Sequence, residues 1–282
     1  MTIRTDLAAD ISEQLPEDTK GSCKRTETRG DITISTVQIL SEEGEKAYGK
    51  PIGTYITVEF PQLYKITDTG DLKQAVKEAL ISLFPEKRET LLVAGLGNTE
   101  ITADSIGPHT AGHILATRHI AGQFAESVGL EHLKSVSVIT PGVLGRTGIE
   151  ATELIKGAAE TVKPDAVLVI DALASSSVSR LFKTIQLCDS GISPGSGVKN
   201  SRKEISEKTL GLPVIAVGVP TVVDAGVLAS ELTGSDVSED IEMLVTPKDS
   251  DLLCDRISEI LSSALNVFLQ PDIDETILSG LV

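Results

Sequence analysis

From Thr90 onward, short apolar runs alternate with helical patterns, and this limits the fold more than any other feature. The runs are "TLLVAGLG" (90–97), "SVSVIT" (135–140), "AVLVID" (166–171), "KTIQLC" (183–188) and "PVIAVG" (213–218). Helical spacing lies between several of them, over 105–126 and 149–162, and follows over 224–232 and 251–269. Strand and helix in alternation read as βαβ units, an α/β fold with a mostly parallel sheet sandwiched by helices. Aromatic residues make up only 3% and Trp is absent, so the core is built from Val, Ile, Leu and Ala. That suits strands covered on both faces.

The N-terminal part follows another pattern. Residues 1–30 carry charges of both signs with little periodicity and read as an irregular arm. "DITISTVQIL" (31–40) and "GTYITVEF" (53–60) alternate apolar and polar residues. They are expected to form a hairpin around "SEEGEKAYGK", an extension over 31–60. "DLKQAVKEALISLF" (71–84) has Leu72, Val76, Ala79, Leu80 and Leu83 at helix spacing.

A net charge of −16 argues against nucleic acid as a direct partner. Cys23, Cys188 and Cys254 are far apart and unpaired by motif, so neither a disulfide framework nor a zinc site is expected, and each reads as a small apolar residue. No basic-then-apolar leader stands at the N-terminus, and no apolar run approaches the roughly 20 residues of a membrane span. A cytoplasmic location is the expectation.

In open α/β sheets, ligands bind outside the carboxyl ends of the strands. There the sequence places "GLGNTEITADSIGP", the Asp171 that closes "LVID", "PGVLGRTG", and the Asp224 of "GVPTVVDA". "GLGN" begins like a phosphate turn, but Glu100 stands where the third glycine belongs, and Asp104 would repel a diphosphate. Asp104 therefore reads either as a helix cap or as a catalytic acid. Asp171 reads either as a partner for a loop amide or as a group facing the crevice. Two acids at neighbouring strand ends cannot both ionise easily, so one holds a proton while the other serves as base and activates water. They could equally share a divalent metal. Asp224 reads as the cap of the following helix. His109 and His113 are four apart, but "HTAGH" is not HExxH, and packing or surface roles are expected for them. Lys199, Arg202 and Lys203 cluster in the Gly-rich loop 189–204. They form either a solvated face or a clamp for acidic substrate side chains.

At these residues the chain resembles a known family. "TIRTDLA" (2–8), "TADSIGP" (102–108), "PGVLGRTGIE" (141–150), "IDALAS" (170–175), "DSGISPGSGVKNSRKEIS" (189–206) and "LGLPVIAVGVPTVVDA" (210–225) are similar to motifs of the germination proteases of spore-forming bacteria. The resemblance implies one α/β protease domain over 1–282, related in fold to the hydrogenase maturation proteases (phosphorylase-like). It implies an endopeptidase that degrades small acid-soluble spore proteins after Glu in the spore core or forespore. It further implies an atypical aspartic mechanism without a cofactor, inactive homotetramers, and activation by loss of an N-terminal segment. The family's two essential aspartates match Asp104 and Asp171. Only Met1 and Thr2 precede Ile3, so the removed segment is very short, is cut within 1–30, or is already missing. Binding of a substrate glutamate by Lys199, Arg202 and Lys203 is an inference added to the resemblance. The alternatives are a metal-dependent or hydrogenase-maturation-type peptidase on the same fold, and a nucleotide- or spore-protein-binding module.

Overall fold

The structure is a computed structural model that describes residues 5–120, 133–198, 202–235, 243–274, 278 and 280. Its strands are β1 (Ser22–Arg29), β2 (Ile32–Ile39), β3 (Gly53–Glu59), β4 (Thr90–Gly95), β5 (Ser135–Ile139), β6 (Ala166–Ser175), β7 (Thr184–Cys188), β8 (Val214–Asp224) and β9 (Leu244–Val245). All join one sheet in the order β1-β2-β3-β7-β8-β6-β4-β5, with β9 on β8. The helices are α1 (Ala8–Ser12), α2 (Glu42–Tyr48), α3 (Gly70–Leu83), α4 (Ile106–Gly112), α5 (Leu144–Thr147), α6 (Ala151–Val162), α7 (Glu207–Leu210), α8 (Ala225–Thr233) and α9 (Ser250–Leu269).

The apolar runs are buried because helices cover both faces. Along β4, Leu91 and Val93 point into a core shared with Leu80 of α3, Ile106 of α4 and Leu261 of α9. Leu92 and Ala94 point the other way, against Ile155 and Ala159 of α6. Successive residues on a strand face opposite sides, so a run with helices above and below must be apolar throughout.

The parallel character is confined to β8-β6-β4-β5. Five pairings are antiparallel: β1-β2, β2-β3, β3-β7, β7-β8 and β8-β9. The reason lies in the connections. From Ser175 to Thr184 the chain makes only a short 3₁₀ turn at Val178–Arg180. A parallel return needs a crossover of a dozen or more residues, so β7 comes back antiparallel to β8. The expected 31–60 hairpin is present, with α2 at its turn, and β3 carries it into the main sheet through β7.

Two expectations are corrected here. The segment 1–30 is not irregular throughout, since it contains α1 and β1. Strand β1, "SCKRTETR", pairs only with β2 and is exposed along most of its length. A charged edge strand carries no apolar alternation for a sequence reading to find, and its charges discourage edge-to-edge pairing. The helix expected over 105–126 ends at Gly112 and gives way to a 3₁₀ turn at Arg118–Ile120; the rest of that pattern lies outside the described residues. The other long helical patterns correspond to α3, α6, α8 and α9. Cys188 and Cys254 are buried as expected, whereas Cys23 is exposed on β1.

Candidate active site

Strand β4 stops at Gly95, opposite Ile170, while its neighbour β6 continues to Ser175. The sequence reading ended that strand at Asp171; the structure carries it four residues further, because "ALAS" is buried beside β8. Asp171 therefore sits where the adjacent strand has just ended, and that gap opens the crevice.

The chain leaving β4 folds back over the gap. Gly97 has φ +118°, and a Cβ there would lie 2.0 Å from the Asp104 carbonyl oxygen. A side chain is excluded on both counts. Gly107 at the start of α4 is equally tight, since a Cβ would lie 2.1 Å from Leu96 O and 2.5 Å from Ile170 O. The glycines of "GLGN" and "SIGP" thus press a 3₁₀ turn, Thr102–Asp104, onto the sheet, which is a different task from holding phosphate. Asn98 N donates to Asp104 O (2.8 Å) and Thr221 Oγ1 of β8 donates to Ala103 O (2.6 Å). The Cys254 thiol of α9 caps Thr102 O at 3.1 Å.

Asp104 and Asp171 line one cavity of about 370 Å³. Asp171 is only 5% exposed, and its Oδ1 accepts from Ala172 N at 2.9 Å. Burial pushes its carboxyl well above the usual carboxylate range, and the charges of Asp104 and Asp6 push it the same way. Asp104, half-buried, is raised to about 6 by burial, against a lowering by the Asn98 backbone N–H. Other walls of the cavity are Leu96, Ile101, Val143, Leu144, Leu173 and Leu244, with Asp6, Glu150, Arg202 and Lys203 as its remaining charged groups.

Of the basic cluster, Arg202 faces this cavity with no carboxylate partner among the described residues. Lys203 also borders it, but its Nζ is held by Glu153 at 2.7 Å. Lys199 lies outside the described residues. Asp224 caps α8 by accepting from Gly226 N at 2.8 Å. His113 Nδ1 lies 2.9 Å from His109 O, and His109 Nδ1 lies 3.4 Å from Asp255; neither ring lines the cavity. Among the described residues no group of three or more His, Cys, Asp or Glu side chains could hold a metal ion, and no helix is long and apolar enough to cross a membrane.

Two participants escape the sequence reading. Thr221 anchors the Asp104 turn from inside an apolar strand, where only its polarity in "GVPTVV" marks it. Asp6 reaches the cavity from the N-terminal segment, and only its place in "TIRTDLA" marks it.

The sequence profile of the family described as germination protease matches residues 3–234. A germination protease of Clostridium acetobutylicum is 38% identical over 317 aligned residues, covering 97% of this chain and 97% of that protein. One from Caldanaerobacter subterraneus subsp. tengcongensis is 40% identical over 320, covering 99% of this chain and 98% of that protein. Among solved structures, a [NiFe] hydrogenase maturation protease HycI from Thermococcus kodakarensis KOD1 covers 68% of this chain and 98% of its own, at 13% identity and a TM-score of 0.39.

Proposed function

The chain belongs to the germination protease family, and on that premise we propose that it is an endopeptidase of aspartic type that uses Asp104 and Asp171 to cleave small acid-soluble spore proteins after Glu. The observation that carries the reading is the shared cavity, in which an aspartate from the turn after β4 stands with one from β6, and the charge of Asp104 opposes ionisation of Asp171.

The two environments divide the roles. Asp171, desolvated and faced by the charges of Asp104 and Asp6, holds its proton more tightly than an ordinary carboxyl, and in that protonated form it donates a hydrogen bond to the scissile carbonyl oxygen. Asp104, raised to about 6, is mostly ionised at neutral pH and takes a proton from the attacking water. The water oxygen bonds to the carbonyl carbon as the proton passes to Asp104. Collapse of the tetrahedral intermediate breaks the C–N bond, and the leaving amine takes up the proton held by Asp104, which returns to its ionised form. Arg202, which has no carboxylate partner among the described residues, binds the carboxylate of the substrate glutamate from the cavity wall. On the same family premise, the enzyme works in the spore core or forespore as a homotetramer whose N-terminal segment is removed on activation.

The test mixes the full chain with a small acid-soluble spore protein and maps the cuts by mass spectrometry, with and without a chelator. Asp104→Asn and Asp171→Asn should each keep a cooperative unfolding transition and lose at least about 10³-fold in kcat/KM. The parent's cuts after Glu should survive the chelator. Full activity in either variant overturns the acid pair; loss to chelator, restored by added metal, overturns the metal-free mechanism.

A further inference from the structure

The "TDLAAD" segment (5–10) has no role in the proposed catalytic steps, yet it is fixed beside the cavity. Leu7 and Ala8 are fully buried. Asp6 is joined to β6 like one residue of a further strand. Its N–H donates to Ala174 O at 2.9 Å, and its Oδ2 accepts from Ala174 N at 2.9 Å. Gln186 Nε2 of β7 donates to its carbonyl oxygen at 2.9 Å. The other carboxylate oxygen, Oδ1, accepts from Ser196 Oγ at 2.7 Å. Gly197 packs so closely that a Cβ there would lie 2.4 Å from Asp6 Oδ2. One carboxylate thus ties the strand that carries Asp171 to the loop that carries Arg202.

We propose that Asp6 is a positioning residue of the active site: its carboxylate holds the Ser196 turn against the end of β6, and its charge keeps Asp171 in the protonated role. The proposal rests on the acid-pair reading. Asp171 is faced by Asp104 from the turn after β4 and by Asp6 from the N-terminal segment, while Glu150, Arg202 and Lys203 complete the charged lining of the cavity. A negative charge at Asp6 opposes a second one at Asp171. A mere structural staple would affect stability alone, whereas this arrangement makes two separable kinetic predictions.

Asp6→Asn isolates the charge. The amide oxygen can still accept from Ala174 N, and the amide nitrogen can donate to a rotated Ser196 hydroxyl. Ser196→Ala isolates the loop anchor and leaves the charge in place. With full-length protein and a Glu-containing peptide, the alkaline limb of kcat/KM in D6N should move to lower pH by about half to one unit. Its KM should stay near that of the parent. S196A should keep the parent limb and raise KM about threefold or more, as the Arg202 loop loosens. D6N with the parent pH profile, measured beside an inactive D171N, overturns the proposal and leaves the acid pair standing. An active D171N overturns the pair itself. If D6N does not fold, S196A decides, and an unchanged KM overturns the proposal.

Discussion

Two aspartates are buried along β6, four residues apart in their points of contact, and their surroundings are opposite. Asp10, 2% exposed, is drawn into the end of the strand from α1. Its Oδ2 accepts from Ser176 N at 2.7 Å, from Ser175 Oγ at 3.1 Å and from Thr5 Oγ1, while Oδ1 is paired with the Arg180 guanidinium. Arg180 also bonds Glu13 (2.6 Å) and Glu59 (2.9 Å), so one cation joins α1, β3 and the turn before β7. Asp171 is nearly as deeply buried, yet among the described residues it is paired with no cation and accepts a hydrogen bond from the next residue's N–H alone. The first site is complete and fastens the N-terminal segment. The second is incomplete, and a carboxyl left so short of partners holds a proton that chemistry can use.

If that contrast is right, the largest effect on stability comes from the complete site. Arg180→Met keeps bulk but leaves Asp10 buried without its cation, and breaking a buried pair on one side costs about 3–5 kcal/mol. Denaturant unfolding measures it. A loss under about 1 kcal/mol would mean that the three neutral donors suffice for Asp10 and that the guanidinium adds little.

The incomplete site should respond with the opposite sign. Both cleft acids bind protons more tightly folded than unfolded. Stability from this source is therefore fully present below the unfolded carboxyl value. It declines as pH rises toward 6 for Asp104, and for Asp171 as pH rises well above the usual carboxylate range. Asp171→Asn removes its own share of the decline and leaves that of Asp104, which comes from burial, in place. The variant should be more stable than the parent by about 1–2 kcal/mol near neutral to alkaline pH, with the gap closing in acid. A less stable variant at every pH would show that Asp171 is satisfied by partners after all.

The same contrast explains what could be read from the sequence. Asp171 is legible because it closes an apolar run, and Asp104 because it stands in the turn that follows one where a phosphate turn would exclude an acid; the sheet's parallel half brings those places together. The covered strands were visible for a related reason, since burial on both faces writes a continuous apolar run. Asp6, Asp10 and Arg180 gave no such signal. Each is an ordinary polar residue, and apart from Thr5 beside Asp10 the partners described above lie more than a hundred residues away along the chain. Strand β1 was invisible because its only requirement is one neighbour's backbone. The extension of β6 past Asp171 leaves little local signal, because small Ala and Ser residues have weak strand preference and pairing with β8 keeps them extended.

The smallest expected effect repeats the contrast between neighbours. Lys203 and Arg202 both border the cavity, but Lys203 is engaged by Glu153 as Arg180 is by Asp10, and Arg202 is left open as Asp171 is. The Lys203–Glu153 pair is well exposed, with side chains 60% and 53% accessible, and water competes for both charges. Lys203→Ala should therefore leave KM for a Glu-containing peptide within about twofold of the parent. Arg202→Ala should raise it about tenfold or more, and Arg202→Lys should recover only part, because an ammonium lacks the planar fork that grips a carboxylate. Equal losses from Lys203→Ala and Arg202→Ala would mean that the loop acts through its summed charge. The substrate glutamate would then be drawn toward the cavity without being held by one residue, and the division between engaged and open cations would carry no weight for specificity.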